Sequence, residues 1–436
     1  MKKTKTLLSL GLILMIFLSG CEVLPFEIPW FSGRTPTTTL SPEEVEDLTP
    51  TPEMTITTEV TPEPITQLTL WVSPEMDPVL DTESSQIFTE RLRLFSDQND
   101  GIEINVRVKA VSGIGGLLDA LTATNAAAPG ALPDLIALPR SDLESAALKN
   151  LIFPLDGLTE IPDDDDWYDF TREMALLQGS TYGLPFTADP LVLVFRGINF
   201  EQLPTSWSDL LESESIFAFP AESDQALFQM SLYQSAGGSL QDTQRRPMLE
   251  VAPLTETFRL FRQGVEAESM SEALLQYQTD AQVWTAFQEG QASIVVTWLS
   301  NYLQEGSTDA VLLPLLPVEN TSVSLGTGMS WALATPDVDR HGISVALAEF
   351  LTEPEFLAEW DQVLGYLPPR PSALENFQDE NLRSTLNQIA LMTRLRPSND
   401  ITASLGPIIR DQTRQVIQGL VDPSQAAQVA VESLEE

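Results

Sequence analysis

The chain has 436 residues, with 63 Asp and Glu against 23 Lys and Arg, a formal net charge of −40. Such a chain repels a phosphate backbone and an anionic bilayer surface, which excludes nucleic acid as a partner and a basic patch as a membrane contact. One histidine and one cysteine leave too few side chains for a zinc site or a histidine-based triad.

At the start, Lys2, Lys3 and Lys5 precede the apolar run Leu7 to Leu18, the layout of an export signal. A run of about twelve residues is too short to cross a hydrocarbon core of roughly 30 Å, so a removable leader over residues 1–20 is expected rather than an anchor helix. The tetrad Leu18-Ser19-Gly20-Cys21 resembles the lipobox of bacterial lipoproteins, in which the cysteine sulfur takes up a diacylglycerol and the chain is cut just before it. That resemblance implies lipidation at Cys21 and an extracytoplasmic, membrane-tethered protein; it also caps a thiol with no partner in its own chain. Residues 35–66 hold eleven Thr, six Pro and six Glu with almost no apolar periodicity. Such a segment buries too little surface to fold, so residues 21–66 are expected to form a lipidated, semi-rigid spacer spanning about 3 Å per residue where it is polyproline-like.

From residue 67 the texture changes, and the remaining length is enough for one hydrophobic core to divide into two. "QLTLWVS" alternates Leu68, Leu70 and Val72 as a strand does, and Phe88, Leu92 and Phe95 fall on one helical face. "IEINVRVKAV" is a second alternating strand. A helix carrying Leu117, Leu118 and Leu121 follows, then the buried strand "PDLIAL" and a helix opened by Ser141 and Glu144 at capping-box spacing. This order predicts a largely parallel sheet covered on both faces. Further on, "LVLVF" and "IFAF" read as short strands, and Leu254, Phe258, Phe261 and Val265 as a helix face. A strand is expected over Ala292 to Thr297, and two helices part near Pro354. Only helices are expected from about residue 378, the last with Pro423 in its first turn.

Several stretches together resemble the family 1 extracellular solute-binding proteins, the sugar-capturing components of ATP-driven importers, over essentially all of residues 67–436. They are "PDLIALPRSDLESAALKNLIFPLDGL", "STYGLPFTADPLVLVFRGINF", "LPTSWSDLL", "AFQEGQASIVVTW", "GMSWALA" and "GYLPPRPSAL", in the family's order. "FRGINF" departs from the Tyr-Asn-Lys-like turn common in that family. The resemblance implies an α/β, two-lobed, type II periplasmic-binding-protein-like fold with the ligand in the cleft between lobes. Lobe 1 would comprise residues 67–186 plus 306–366, and lobe 2 residues 187–305 plus 367–436. Crossings are expected at Tyr182 to Pro185, near residues 302 to 308, and at Tyr366 to Pro369, acting together as a hinge. The implied partners are a carbohydrate, a membrane permease with its cytoplasmic ATPase, and the bilayer through the lipid on Cys21. The protein is expected to be a monomer without a cofactor.

A carbohydrate site needs flat aromatic surfaces and planar polar side chains, and ligands of such sheets bind beyond the carboxyl ends of strands. Trp298, just past a strand, is the leading stacking candidate. Trp331 is divided between cleft and core, and Tyr182 and Tyr366 between cleft and hinge packing. Trp71 is a weaker candidate. Trp284 and Trp360 share helices with apolar residues and read as core, Trp207 as a packing anchor, and Trp30 and Trp167 lie away from any expected cleft. Among polar groups, Glu75 and Asp77 follow the first strand and Arg140 and Ser141 the third. Asp189 stands just beyond the first crossing, where family members often carry an acid.

Three other features point elsewhere. The acids Asp163 to Asp166 lack the spaced ligands and glycine of a calcium loop and read as an acidic helix start. "SGIGG" is too short for a phosphate fingerprint, and His341 lies in a polar turn. The alternative function is a membrane-anchored glycoside hydrolase, because paired carboxylates need no histidine.

Overall fold

The computed structural model describes residues 64–435, apart from 198–202, 214, 307–308 and 320. The leader, Cys21, Trp30 and nearly all of the spacer lie outside the described residues. In chain order the first elements are β1 (Gln67–Val72), α1 (Glu83–Gln98), β2 (Glu103–Val108), α2 (Leu117–Ala127), β3 (Leu135–Pro139), α3 (Arg140–Leu148) and α4 (Asp169–Ala175). The small hairpin β4 (Leu176–Leu177) and β5 (Ser180–Thr181) leads into the long β6 (Leu184–Arg196). Then come α5 (Trp207–Leu211), β7 (Phe217–Ala218), α6 (Leu227–Ser235), α7 (Val251–Glu266), α8 (Asp280–Gln288), β8 (Ile294–Trp298), α9 (Leu299–Glu305) and β9 (Ala310–Leu313). The chain closes with β10 (Ser324–Leu333), α10 (His341–Phe350), α11 (Pro354–Leu364), α12 (Pro371–Leu374), α13 (Glu380–Met392), β11 (Thr393–Leu395), α14 (Asn399–Ile417) and α15 (Pro423–Glu435).

The first packed body is the sheet β2-β1-β3-β10-β6, in which β1 lies parallel to β2 and β3, and β10 runs antiparallel to β3 and β6. Period-two alternation explains its two faces. Leu68, Leu70, Val72, Leu135, Ala137, Phe186 and Trp331 pack on one face under α1, α10 and α11, while Trp71, Ile136, Leu138 and Ala332 face α2 and α3. β2 is the edge, and Val108 at its end is exposed, so its regular alternation reflects strand geometry more than burial. The second body is built on the far half of β6 with β7, β8 and β9, and its single apolar cluster takes in α5 to α8 and α13 to α15.

One strand belongs to both bodies. Leu184 to Pro190 of β6 pair with β10, and Leu191 to Arg196 pair with β8 and β9. Ala188 exchanges backbone hydrogen bonds with Leu367 at 2.8 and 3.0 Å. Packing shifts the expected crossings. Tyr182 to Pro185 remain with the first body, since Leu184 is in its core and Gly183 lies flush against Ser330 and Trp331; the change of partner comes at Pro190 to Leu191. Tyr302 and Leu303, at the start of the second expected crossing, pack against the second cluster. Leu312, Leu315 and Leu316 pack in the second cluster, as does Leu325 of β10, so the return to the first body comes within β10, between Leu325 and Met329, and residues 310–316 fall outside the expected first lobe. Late in the chain, Tyr366 packs with the first body and Leu367 with the second.

Two local expectations are also corrected. Ser141 and Glu144 form no capping box: α3 starts at Arg140, and the Glu144 carboxylate instead accepts the Asn399 N–H at the start of α14. β11 interrupts the helices after residue 378, because Thr393 to Leu395 extend beside Ser324 to Gly326. The acidic run serves neither calcium nor a helix start directly; Asp164 and Asp166 both pair with the buried Arg370.

Trp331 is fully buried, with its ring 4.4 Å from that of Phe186, and is therefore core rather than a ligand contact. Trp331→Ala should cost about 3–5 kcal/mol in denaturant unfolding monitored by circular dichroism.

Candidate functional site

The carboxyl ends of β7 and β8 open onto one hollow in the second body. It measures about 170 Å³ and is lined by Pro220, Ser223 and Gln225 from the β7–α6 loop, by Gln278 to Asp280 at the start of α8, and by Trp298 at the end of β8. Each element has a local reason for its place. Thr279 and Gln282 form a true capping box that fixes the start of α8, and Trp298 ends β8 because the next residue already begins α9. Of the seven tryptophans described, six are buried and Trp298 alone is half-buried. Its side chain faces the Asp280 carboxylate and lowers that group's pKa, while the Asp280 Oδ1 is buried without a partner. Burial raises Asp280 to about 6.

Behind this wall lies Asp189. Its Oδ1 accepts the Ser300 N–H at 2.9 Å and its Oδ2 the Ser300 hydroxyl at 2.7 Å, so it caps α9 from across the sheet. Burial lifts it to about 7 in spite of those two donors. Tyr366 sits close enough for its phenol to be raised by burial first and then by the charges of Asp189 and Glu75. Glu75 and Asp189 thus both lie within electrostatic reach of Tyr366 at the late crossing.

The other expected residues are placed differently. Asp77 accepts the Val79 N–H at 2.9 Å, an Asx turn before α1, and Glu75 accepts the Ser73 hydroxyl at 2.6 Å. Arg140 is buried and lies 3.4 Å from Glu144. Desolvation lowers its pKa, as does the nearby Arg396. Tyr182 packs half-buried on the α2–α3 face of the first body, and Trp71 is buried there. His341 begins α10 with its Nε2 2.9 Å from the Thr335 carbonyl. Among the described residues no cluster of His, Cys, Asp and Glu is placed to hold a metal ion.

Sequence reasoning missed Asp280, Ser223, Gln225 and Gln278. An acid in the first turn of a helix reads as a dipole partner, and a polar loop reads as solvated. Only the chain folding α8 against β8 and the β7–α6 loop makes them one surface.

The sequence model of a family described as bacterial extracellular solute-binding protein matches residues 90–384. No curated protein matches the chain. Among solved structures, the chain is similar to a cyclo/maltodextrin-binding protein complexed with maltotetraose (18% identity, TM-score 0.71, covering 86% of this chain and 98% of the other). It is similar to the sugar-binding protein MalE from Xanthomonas citri (17%, 0.68, 85% and 96%). It is also similar to UgpB from Mycobacterium tuberculosis in complex with glycerophosphocholine (17%, 0.62, 85% and 97%). At these identities the likeness establishes the two-lobed fold.

Asp189 makes a prediction of definite sign. Its folded-state value of about 7 lies above the ordinary 3.8, so folding favours the proton. That contribution is complete below about pH 4 and is lost as the pH rises through about 7. Asp189→Asn removes the titration, and the stability of the wild type relative to this variant should fall by a few kcal/mol between about pH 4 and 8. Paired melting curves across that range measure it, and parallel curves would contradict it.

Proposed function

Because the chain belongs to the bacterial extracellular solute-binding protein family, we propose that its solute is a carbohydrate, held between the lobes and delivered to the permease of an ATP-driven importer. The observation that carries the reading is Trp298: an aromatic face at the carboxyl end of a strand, beside a buried carboxylate and the amides of Gln225 and Gln278. Sugars offer apolar C–H faces to such a ring and hydroxyls to such acceptors. The hollow is smaller than the roughly 300–1,000 Å³ of a drug-sized pocket. It fits one ring, with the rest of an oligosaccharide crossing toward Glu75 and Tyr366. The sugars named with several similar structures support the same class. Hydrolysis is not favoured, since both oxygens of Asp189 already accept from Ser300.

Trp298→Ala should weaken binding of the best-binding maltooligosaccharide at least about tenfold, on the order of 1.4 kcal/mol, with the fold unchanged. Titration calorimetry on both proteins decides this, and equal affinities would remove Trp298 from the site.

The tether belongs to the same proposal. Lipid on Cys21 and the spacer to Thr66 would keep the binding domain beside its permease, and among the described residues no helix is long and apolar enough to cross a membrane. Cys21→Ser should move the protein from the membrane pellet to the soluble fraction. Retention in the pellet without the thiol would refute the anchor.

A further inference from the structure

We infer that Arg410 and Arg414 of α14 are positioning residues for ligand binding, holding the β7–α6 loop in the shape that forms one wall of the hollow. The inference rests on the carbohydrate reading of that hollow. Three contacts on one face of α14, four residues apart, meet the loop from behind. An ideal Cβ on Gly406 would lie 2.0 Å from the Asp224 carbonyl oxygen, so only glycine lets the loop backbone rest on the helix there. Arg410 pairs with Asp224 and is steadied by Asp411 at 2.8 Å. Arg414 grips Glu222 with two parallel bonds, Nε to Oε1 at 2.6 Å and Nη2 to Oε2, the fork geometry that lysine cannot reproduce.

The loop needs holding. Ala226, at its end, sits at φ 47° and ψ 37°, a left-handed conformation that a non-glycine residue adopts only at a cost of about 1–2 kcal/mol. Between the gripped residues 222 and 224 and this strained one lie Ser223 and Gln225, both lining the hollow. On the other side the Glu222 N–H donates to the Tyr277 carbonyl at 2.9 Å, which ties the loop to the segment carrying Gln278 to Asp280. Glycine inside a helix is itself unfavourable by roughly 0.5–1 kcal/mol against alanine, and Gly406 has its reason in this contact.

The test uses the full chain in a Trp30→Phe background, leaving Trp298 as the one tryptophan outside the core. Arg414→Ala, Arg414→Lys, the pair Arg410→Ala with Arg414→Ala, and Gly406→Ala are compared with Arg259→Ala, which removes an unrelated surface pair on α7. The clamp variants should raise the Kd for a maltooligosaccharide at least about fivefold and alter acrylamide quenching of Trp298, while Arg259→Ala changes neither. The exchange Glu222→Arg with Arg414→Glu should recover part of the loss, which a general structural defect would not do. Arg414→Lys keeps the charge and folds under milder perturbation, so the comparison stands if the alanine variants unfold. Tight binding by the wild type with unchanged Kd in the clamp variants overturns the inference. If the wild type binds no sugar, the carbohydrate reading fails instead, and Trp298 quenching decides the clamp alone: equal quenching in all variants overturns it.

Discussion

The architecture depends on β6 serving two sheets. A strand that pairs with β10 up to Pro190 and with β8 and β9 from Leu191 onward must keep its backbone bonded on both sides of the change. The two bodies therefore meet along a continuous ladder, not a loose linker. Leu367 adds a second bridge at Ala188, and β10, with Leu325 in the second cluster and Met329 in the first, a third connection. The apolar clusters divide between Phe186 and Ala188 on β6, between Leu325 and Met329 on β10, and between Tyr366 and Leu367, so all three connections pass from one core to the other within a few residues, the condition for hinge motion between rigid lobes. The same geometry places the hollow: β7 and β8 end beside the switch, and their carboxyl ends open toward the first body.

Close approach at this junction is maintained by small residues and side-chain caps. A Cβ on Gly328 would meet the Thr187 carbonyl oxygen at 2.1 Å, and one on Gly326 would meet the Thr393 methyl at 2.5 Å. β10 can lie between β6 and β11 only because these positions are glycine. Asp189 and Glu144 then do comparable work, each supplying carboxylate oxygens to the start of a helix that is not its own, α9 and α14. Unsatisfied N–H groups at helix starts are thus used as attachment points between elements distant in the chain.

Much of the fold was legible because it depends on periodicity. Leu68, Leu70 and Val72, and Phe88, Leu92 and Phe95, sort to the faces that spacings of two and of three to four require. What escaped depends on partners far away in sequence. "SDLE" has the spacing of a capping box, yet Glu144 turns to Asn399, 255 residues on. Thr393 to Leu395 are too short to show alternation and are strand only because β10 lies alongside. Tyr182 to Pro185 carry the glycine and proline of a bend, but Leu184 is held in the first core. Trp298's position at the carboxyl end of a strand was readable from the sequence. Trp331 was ambiguous, since strand position alone does not tell which face Phe186 covers.

The strong negative charge is a property of the surface, not of the cleft floor. Asp209 and Asp189 make the contrast: each accepts from a serine N–H at a helix start. Asp209 is exposed, and its hydrogen bonds with Ser206 and Thr205 hold it below its usual value. Asp189 is buried, and the same kind of bonds leave it raised to about 7, because desolvation of the ion outweighs two donors. Asp280 follows it to about 6, and Asp361, beside the late crossing with neither oxygen bonded, is pushed well up by burial alone. These buried acids therefore carry less charge than their number suggests. On the proposed reading, a carbohydrate would meet there acids with raised pKa values and amides, groups that exchange hydrogen bonds with hydroxyls at less desolvation cost than a buried ion would impose.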